Sequence, residues 1–432
     1  MKNFRWWAVA GVAGLGAALS GCGSGSSSSS TVSLRLANAT LTHPSLDLLV
    51  NSAVTLSATA ADSVSAYVAP AAGGNTLQVD DAGSATALTT TVPTLTGGQH
   101  YTLLAYESGG TVKTVVVNED DAAPAAGVAQ LRIFDTALDA GKLDVYITAP
   151  GADLSTLSPT TSFGTLTAPT ATLLVSYSPG PYEVRVTGAG NKSDLRIDMP
   201  AVTLTSQQIA NVVLTPAAGG VLLNGSTLIE QGAYAAVRNT NARVRLASAV
   251  SGGATVAASA TTPAGTTTID AGSVAPAFGY YVLVPASSTL NVSVNSGSVG
   301  SGIPAPAAGT DATLLVYGAS GAATAKLIAD DNRPPTDATT VKLRLINGIT
   351  GSAGALTLTA NTAPVGVGIL PGAASSYVSV PGSPNAMNLT LTSSTSGTFL
   401  PNTSNILNPG GVYSVMAADP PSGSTQPQLL IR

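Results

Sequence analysis

Apolar residues recur along this chain with a period of two, in short runs broken by Gly, Pro, Ser and Asn. That is the pattern of half-buried strands, and no stretch carries a convincing helical period. One run recurs four times: "VSLRLANA" from Val32, "AQLRIFDT" from Ala129, "ARVRLASA" from Ala242 and "VKLRLING" from Val341. The central arginines, Arg35, Arg132, Arg245 and Arg344, are separated by 97, 113 and 99 residues. Apolar neighbours flank each arginine, so on a strand the guanidinium points away from the face that the neighbours bury. Two readings follow: a row of cations that a polymeric anion could bridge, or a solvated opening strand whose charge resists edge pairing. The second is the simpler.

Further blocks keep the same spacing. "AYVAPAAGGNTLQV", "SYSPGPYEVRV", "YVLVPASSTLNVSV" and "SYVSVPGSPNAMNLTL" each read as an aromatic-led strand, a turn and an alternating strand. "HYTLLAY", "ANVVLT", "ATLLVYG" and "VYSVMAA" supply a late core strand, followed by closing strands in "TVKTVVV", "GVLLNGS", "AATAKLI" and "TQPQLLI". Each copy thus holds about seven short strands in roughly 100 residues, the dimensions of an immunoglobulin-like antiparallel sandwich. The fold class is all-β: tandem β-sandwiches over residues 32–121, 127–232, 239–332 and 340–432. "NEDDAAPAAG" and "ADDNRPPTDA" read as linkers after the first and third copies; "LIEQGAYAAVRNTN" is a less distinct boundary. Four such domains in line would reach on the order of 130 Å, a length that suits a stalk; weak identity between the copies leaves side-by-side pairing open.

Ahead of the copies, Lys2 and Arg5 precede an uncharged stretch from Trp6 to Leu19, the layout of a secretory signal over residues 1–21. The stretch is shorter than the roughly 20 residues that span a bilayer. Leu19-Ser20-Gly21-Cys22 follows directly and resembles the lipobox of bacterial lipoproteins. The resemblance implies cleavage before Cys22 and lipidation of its sulfur and new amine, giving a membrane partner through two or more acyl chains. Gly23 stands where an inner-membrane-retained lipoprotein carries Asp, which implies the outer membrane in a Gram-negative cell. Residues 22–31 then form a Gly/Ser tether with a reach of roughly 15 Å.

Composition narrows the function classes. Charged residues make up 9% of the chain, aromatic residues 4% and hydrophobic residues 44%. Of 17 basic residues, loss of Lys2 and Arg5 leaves 15 against 22 acidic ones, a balance that disfavours nucleic acid as a partner. Cys22 is the sole cysteine, so no disulfide can brace the domains; both tryptophans, Trp6 and Trp7, lie in the signal segment.

The x-L-R-L opening strand, then "LDLLV" from Leu46 or "LDVYI" from Leu143, then the hairpin and the acidic linker resemble the bacterial domain of unknown function numbered 4397. Asp47 and Asp144 occupy that family's strand-B aspartate, which the third and fourth copies lack in "TVAASA" and "ALTLTA". Where the family has Ser-Pro-Asp-Ala-Pro, this chain has "THPS" and "DAGK". The resemblance implies a sandwich, and no activity.

Catalytic chemistry has little to work with. The two histidines, His43 and His100, both fall in the first copy, without a nearby cysteine for a zinc site of the usual composition. Metalloprotease, phosphate-loop and nucleophile-elbow motifs do not occur. Glycoside hydrolysis needs only two carboxylates, but sugars are gripped by broad aromatic faces and the mature chain carries no tryptophan. Tyrosines on loops, such as Tyr234, could still serve a glycan-binding surface. Glu119-Asp120-Asp121 and Asp330-Asp331-Asn332 occupy matching places, yet consecutive acids converge poorly on a Ca²⁺ that wants six to eight oxygens. Solvated linkers are the simpler reading. The expectation is therefore a lipid-anchored envelope protein with a structural, display or adhesion role through an unidentified protein or polymer partner. It would have no catalytic residue, metal or cofactor. The alternative is a binding module for a glycan, peptide or polymer.

Overall fold

The computed structural model describes residues 30–350, 354–383, 386–395, 397–420 and 426–432. The signal segment, Leu19, Ser20, Gly21 and Cys22, and nearly all of the tether lie outside the described residues. What is described is almost entirely strand and turn; its one helical element is the short 3₁₀ turn Leu154–Thr156.

Each copy folds as two antiparallel-rich sheets packed face to face. In the first sheet the opening strand lies in the middle: Ser33–Asn38, Ala129–Asp135, Asn241–Ser251 and Thr340–Asn347. It pairs in parallel with the penultimate strand, His100–Ser108, Ile209–Pro216, Asp311–Ala319 or Val412–Ala418. The closing strand, Thr111–Asn118, Leu223–Ile229, Thr324–Asp330 or Gln428–Ile431, pairs antiparallel with the penultimate one. The second sheet holds four strands, in the first copy Ala53–Ala60, Ser45–Val50, Leu77–Asp81 and Ala87–Thr91 in spatial order. Left-handed backbone at Asn51-Ser52, Asn295-Ser296 and Asn361 makes the two-residue hairpin turns whose twist suits paired strands.

Alternation places the cores. Leu34, Leu36, Leu46, Leu48, Val79 and Leu103 are fully buried in the first sandwich, and three equivalent clusters fill the others. The second sandwich does not end at residue 232. Gln231, with φ of 52°, and Gly232 turn the chain back, so Tyr234–Val237 pairs with Leu223–Ile229 and extends the sheet. The boundary residues "GAYAAV" are thus a strand rather than a connection.

The outer faces of the first sheets are not solvated. Ala37, Ala39, Leu104, Tyr106 and Val117 pack against Val213, Leu228, Phe134 and Tyr234 of the second sandwich. Ala247, Ala249 and Leu315 pack likewise against Ile346, Met416 and Ala418, joining the third sandwich to the fourth. The four copies therefore stack as two pairs, each pair four sheets deep. Tyr234, read from sequence as a loop tyrosine, is a strand residue inside the first of these apolar seams.

Candidate functional site

The richest clusters of polar chemistry lie at the seams between sandwiches, and the repeated arginines build two of them. Each does face away from its own core, as its alternation requires. The neighbouring domain covers that side, however, so Arg35, Arg245 and Arg344 are only 3%, 3% and 1% exposed. The solvated opening strand is thereby corrected, and so are the solvated acidic linkers. Glu119 and Asp330 are buried as the arginines' counter-ions.

At the first seam, Arg35 donates to Thr102 Oγ1 at 2.8 Å and to Glu119 at 2.6 Å. It then crosses to the carbonyls of Gly232 and Ile229 in the second sandwich, at 2.6 and 3.0 Å. Tyr67 lies under the guanidinium, 4.9 Å from its centre, and donates its hydroxyl to Glu119. Burial, reinforced by Glu119, raises the Tyr67 phenol well above its ordinary range. From the other side, Arg132 reaches Asp121 at 2.8 Å and Glu230 at 3.0 Å.

The third and fourth sandwiches repeat the device with approximate two-fold symmetry. Arg245 and Arg344 both donate to Ser414 Oγ, each at 2.8 Å, and both reach Thr313 Oγ1. Asp330 accepts from Arg344, Thr313 and Tyr281. Tyr281 stacks on Arg245 at 4.5 Å and Tyr377 on Arg344 at 4.7 Å. Strand register explains these stacks, because Val68, Val282 and Val378 pair with the residue before each arginine. The tyrosine one place earlier then falls beside the guanidinium. In the second sandwich Val175 holds that place, so Leu174 rather than Tyr177 stands beside Arg132. Tyr177 pairs opposite Ala129 and packs edge-on against Tyr182. The tyrosine of copy two therefore sits further along its strand than its counterparts in the other copies.

A further seam, between the second and third sandwiches, was not legible in the sequence. Asp194 accepts from Arg196 and Arg243 at 2.6 Å each, and Arg243 makes a two-pronged contact with Asp311 at 2.8 and 2.7 Å. Burial opposes the Asp194 charge, but the two guanidiniums outweigh it and hold the carboxyl below its usual range. Gly220 allows the approach, since a Cβ there would sit 2.7 Å from the Asp311 carboxyl carbon. Beside this seam Arg333 and Lys342 both hold Asp331, and despite burial they lower it to about 2.

His43 and His100 bond carboxylates. His43 Nδ1 lies 2.6 Å from Asp81 and its Nε2 3.7 Å from Glu107, while His100 Nδ1 lies 3.0 Å from Asp120. A cleft of about 230 Å³ opens between the third and fourth sandwiches, lined by Gly252, Gly253, Pro276, Asp419 and Gln428 among others. It is smaller than the roughly 300 Å³ at which drug-sized ligand sites begin. No group of three or more His, Cys, Asp or Glu residues able to hold a metal ion occurs among the described residues.

The strand-B aspartates hold hairpins together. Asp47 accepts from the backbone N–H of Ala58 at 2.7 Å and of Gly83 at 2.9 Å. Asp144 accepts from Ser162 Oγ at 2.6 Å and Gly190 N–H at 2.8 Å. Residues 32–146 match DUF4397. This family is described as a domain of unknown function, and the match runs through the whole first sandwich into the second, ending in the strand Leu143–Thr148 that carries Asp144. The DUF4397 stretch therefore crosses the first seam and includes Arg35, Glu119 and Arg132. No curated protein matches the chain. Among solved structures, one similar chain is the Bacillus anthracis TIE protein, at 8% identity, with 86% of this chain and 65% of that one covered. The chain thus spans less than two thirds of that structure, and a TM-score of 0.15 carries no argument about fold or function.

The position three residues after each opening arginine supplies an internal comparison. Asn38, Asp135, Ser248 and Asn347 occupy one place. Asn38 and Asn347 accept the N–H two residues on, at 3.1 and 3.0 Å, as Asp135 does at 2.8 Å. Burial, against the pull of that bond, raises the Asp135 carboxyl from 3.8 to about 6. Its contribution to stability is full below pH 3.8 and is lost as pH rises through 6. Asp135→Asn should therefore stabilise the second sandwich by about 2 kcal/mol at pH 8 and change little at pH 4. Denaturant melts at both pH values would show it.

Proposed function

We propose that this chain is a lipid-anchored envelope protein whose four sandwiches form a non-enzymatic, stiff display or spacing element. The observation that carries the reading is the buried ion networks and apolar clusters that join neighbouring sandwiches. Side chains capable of chemistry at these seams are engaged in domain packing. Joints of this kind turn a tandem array into a shape that holds a surface at a set distance from its anchor. Two stacked pairs make a shorter, thicker body than four domains in line. The signal layout and Cys22 support the assignment to the cell envelope, and the tether sets the body close to the membrane.

One set of variants tests both parts. Wild-type chain should incorporate an alkyne fatty acid in cells, and Cys22→Ser should lose that label; retention of label by the variant would overturn the anchor. With Cys22 replaced, S84C and T266C add the only thiols, both at exposed positions. Nitroxides there should report one narrow distance between the first and third sandwiches. A broad distribution would overturn the stiff element.

A further inference from the structure

At the first seam one guanidinium faces two carboxylates. Arg132 lies 2.8 Å from Asp121, in the segment leaving the first sandwich, and 3.0 Å from Glu230, at the hairpin of the second. The Asp121 N–H also donates to Glu230 Oε2 at 3.3 Å, so the two carboxyl groups meet at one guanidinium. Two carboxylates on one guanidinium leave one negative charge without a partner, which a second cation or a proton must balance. The other cation nearby is committed: Arg35 is held by Glu119. We propose that Glu230 holds a proton in the closed joint, beside Asp121 on the same guanidinium, which makes the seam between the first and second sandwiches a latch that tightens in acid and loosens as pH rises.

The groups surrounding Glu230 agree with this assignment. Arg132 of the opening strand and Asp121 of the segment after the closing strand touch Glu230 itself, Arg35 and Asp120 hold its hairpin neighbours, and Tyr67 and His100 stand behind on Glu119 and Asp120. Gln231 ties the same hairpin to Asp120 and to the Glu119 carbonyl, each at 3.0 Å, so opening would free the whole turn. Burial, then the neighbouring Asp121, raise the Glu230 carboxyl from 4.5 to about 7, with Arg132 opposing. A carboxyl raised on folding stabilises fully below its unfolded value and loses that contribution as pH rises through its folded value. The window is therefore about pH 4.5 to 7. The seam between the second and third sandwiches has the opposite sign: Asp194 is held below 3.8 and weakens that joint only as acid protonates it.

Hydrogen exchange on the full chain, corrected for the intrinsic pH dependence of exchange, tests the latch. Peptides covering 111–121 and 223–237 should open several-fold more per pH unit between pH 5.5 and 7, up to the tenfold that one proton allows. Glu230→Gln, which keeps the hydrogen-bonding shape without the charge, should abolish that slope and protect the seam at pH 8. Asp121→Asn should do the same if the first variant fails to fold. His100→Gln should keep the slope, since His100 pairs with Asp120 rather than with Glu230. A slope that persists in both carboxyl variants, or one that disappears in His100→Gln, overturns the proposal. Peptides around Asp194 should show no loosening over this range.

Discussion

Asp330→Asn should destabilise the pairing of the third and fourth sandwiches by about 3–5 kcal/mol, the usual cost of leaving a buried charge without its partner. Asp330 is 4% exposed and is the acidic member shared by Arg245, at 3.6 Å, and Arg344, while Thr313 and Tyr281 donate to it as well. Asparagine keeps one acceptor but not the charge, so two guanidiniums remain buried with hydroxyls, carbonyls and aromatic faces alone. Denaturant unfolding of the full chain should show an earlier first transition, and peptides from 311–330 and 340–347 should lose exchange protection together. Replacing the whole set by apolar side chains, in Arg245→Met, Arg344→Met, Asp330→Leu, should recover most of the loss, because the desolvation cost disappears with the charges. An unchanged transition in Asp330→Asn would mean that water reaches this seam.

Gly348→Val tests the apolar half of the same seam. The Gly348 N–H donates to the Ala417 carbonyl at 2.8 Å. A Cβ at Gly348 would overlap that of Ala249 in the third sandwich and sit 3.0 Å from the Ala417 oxygen. Neither obstacle is a flexible side-chain end that can swing aside. Overpacking a tight site costs about 1–3 kcal/mol for small insertions, and valine's two further methyls should bring the cost to about 3 kcal/mol or more. Limited proteolysis should then cut between the third and fourth sandwiches while each domain core survives. Gly74→Ala, where a Cβ meets nothing within 4 Å and φ is unremarkable, should leave stability and cleavage unchanged.

The sequence by itself determined the strands, their fourfold repetition and the inward side of each. Leu34, Leu36, Val244, Leu246, Leu343 and Leu345 are buried where alternation puts them, because the side-chain period of two is a local property of extended backbone. The penultimate and closing strands were legible for the same reason. Local pattern also set the direction of each arginine relative to its own sheet.

What lies over a sheet's other face is a long-range fact, and there the tertiary structure decided. Arg35 meets Gly232 across 197 positions of chain, and no local alternation encodes that distance. The pattern therefore gave a charge pointing outward, and outward was read as solvent. The matching places of Glu119 and Asp330 were the available signal, since a solvated linker has no need of an acid fixed one step after or at the end of its closing strand. The shifted place of Tyr177 is invisible to local pattern because register depends on which residues pair across strands, and Tyr234 fell outside the strands because a tight turn at Gln231 resembles a connection. Pairing of the sandwiches, burial of the arginines and the proton proposed for Glu230 all arise where surfaces distant in sequence exclude water from one another.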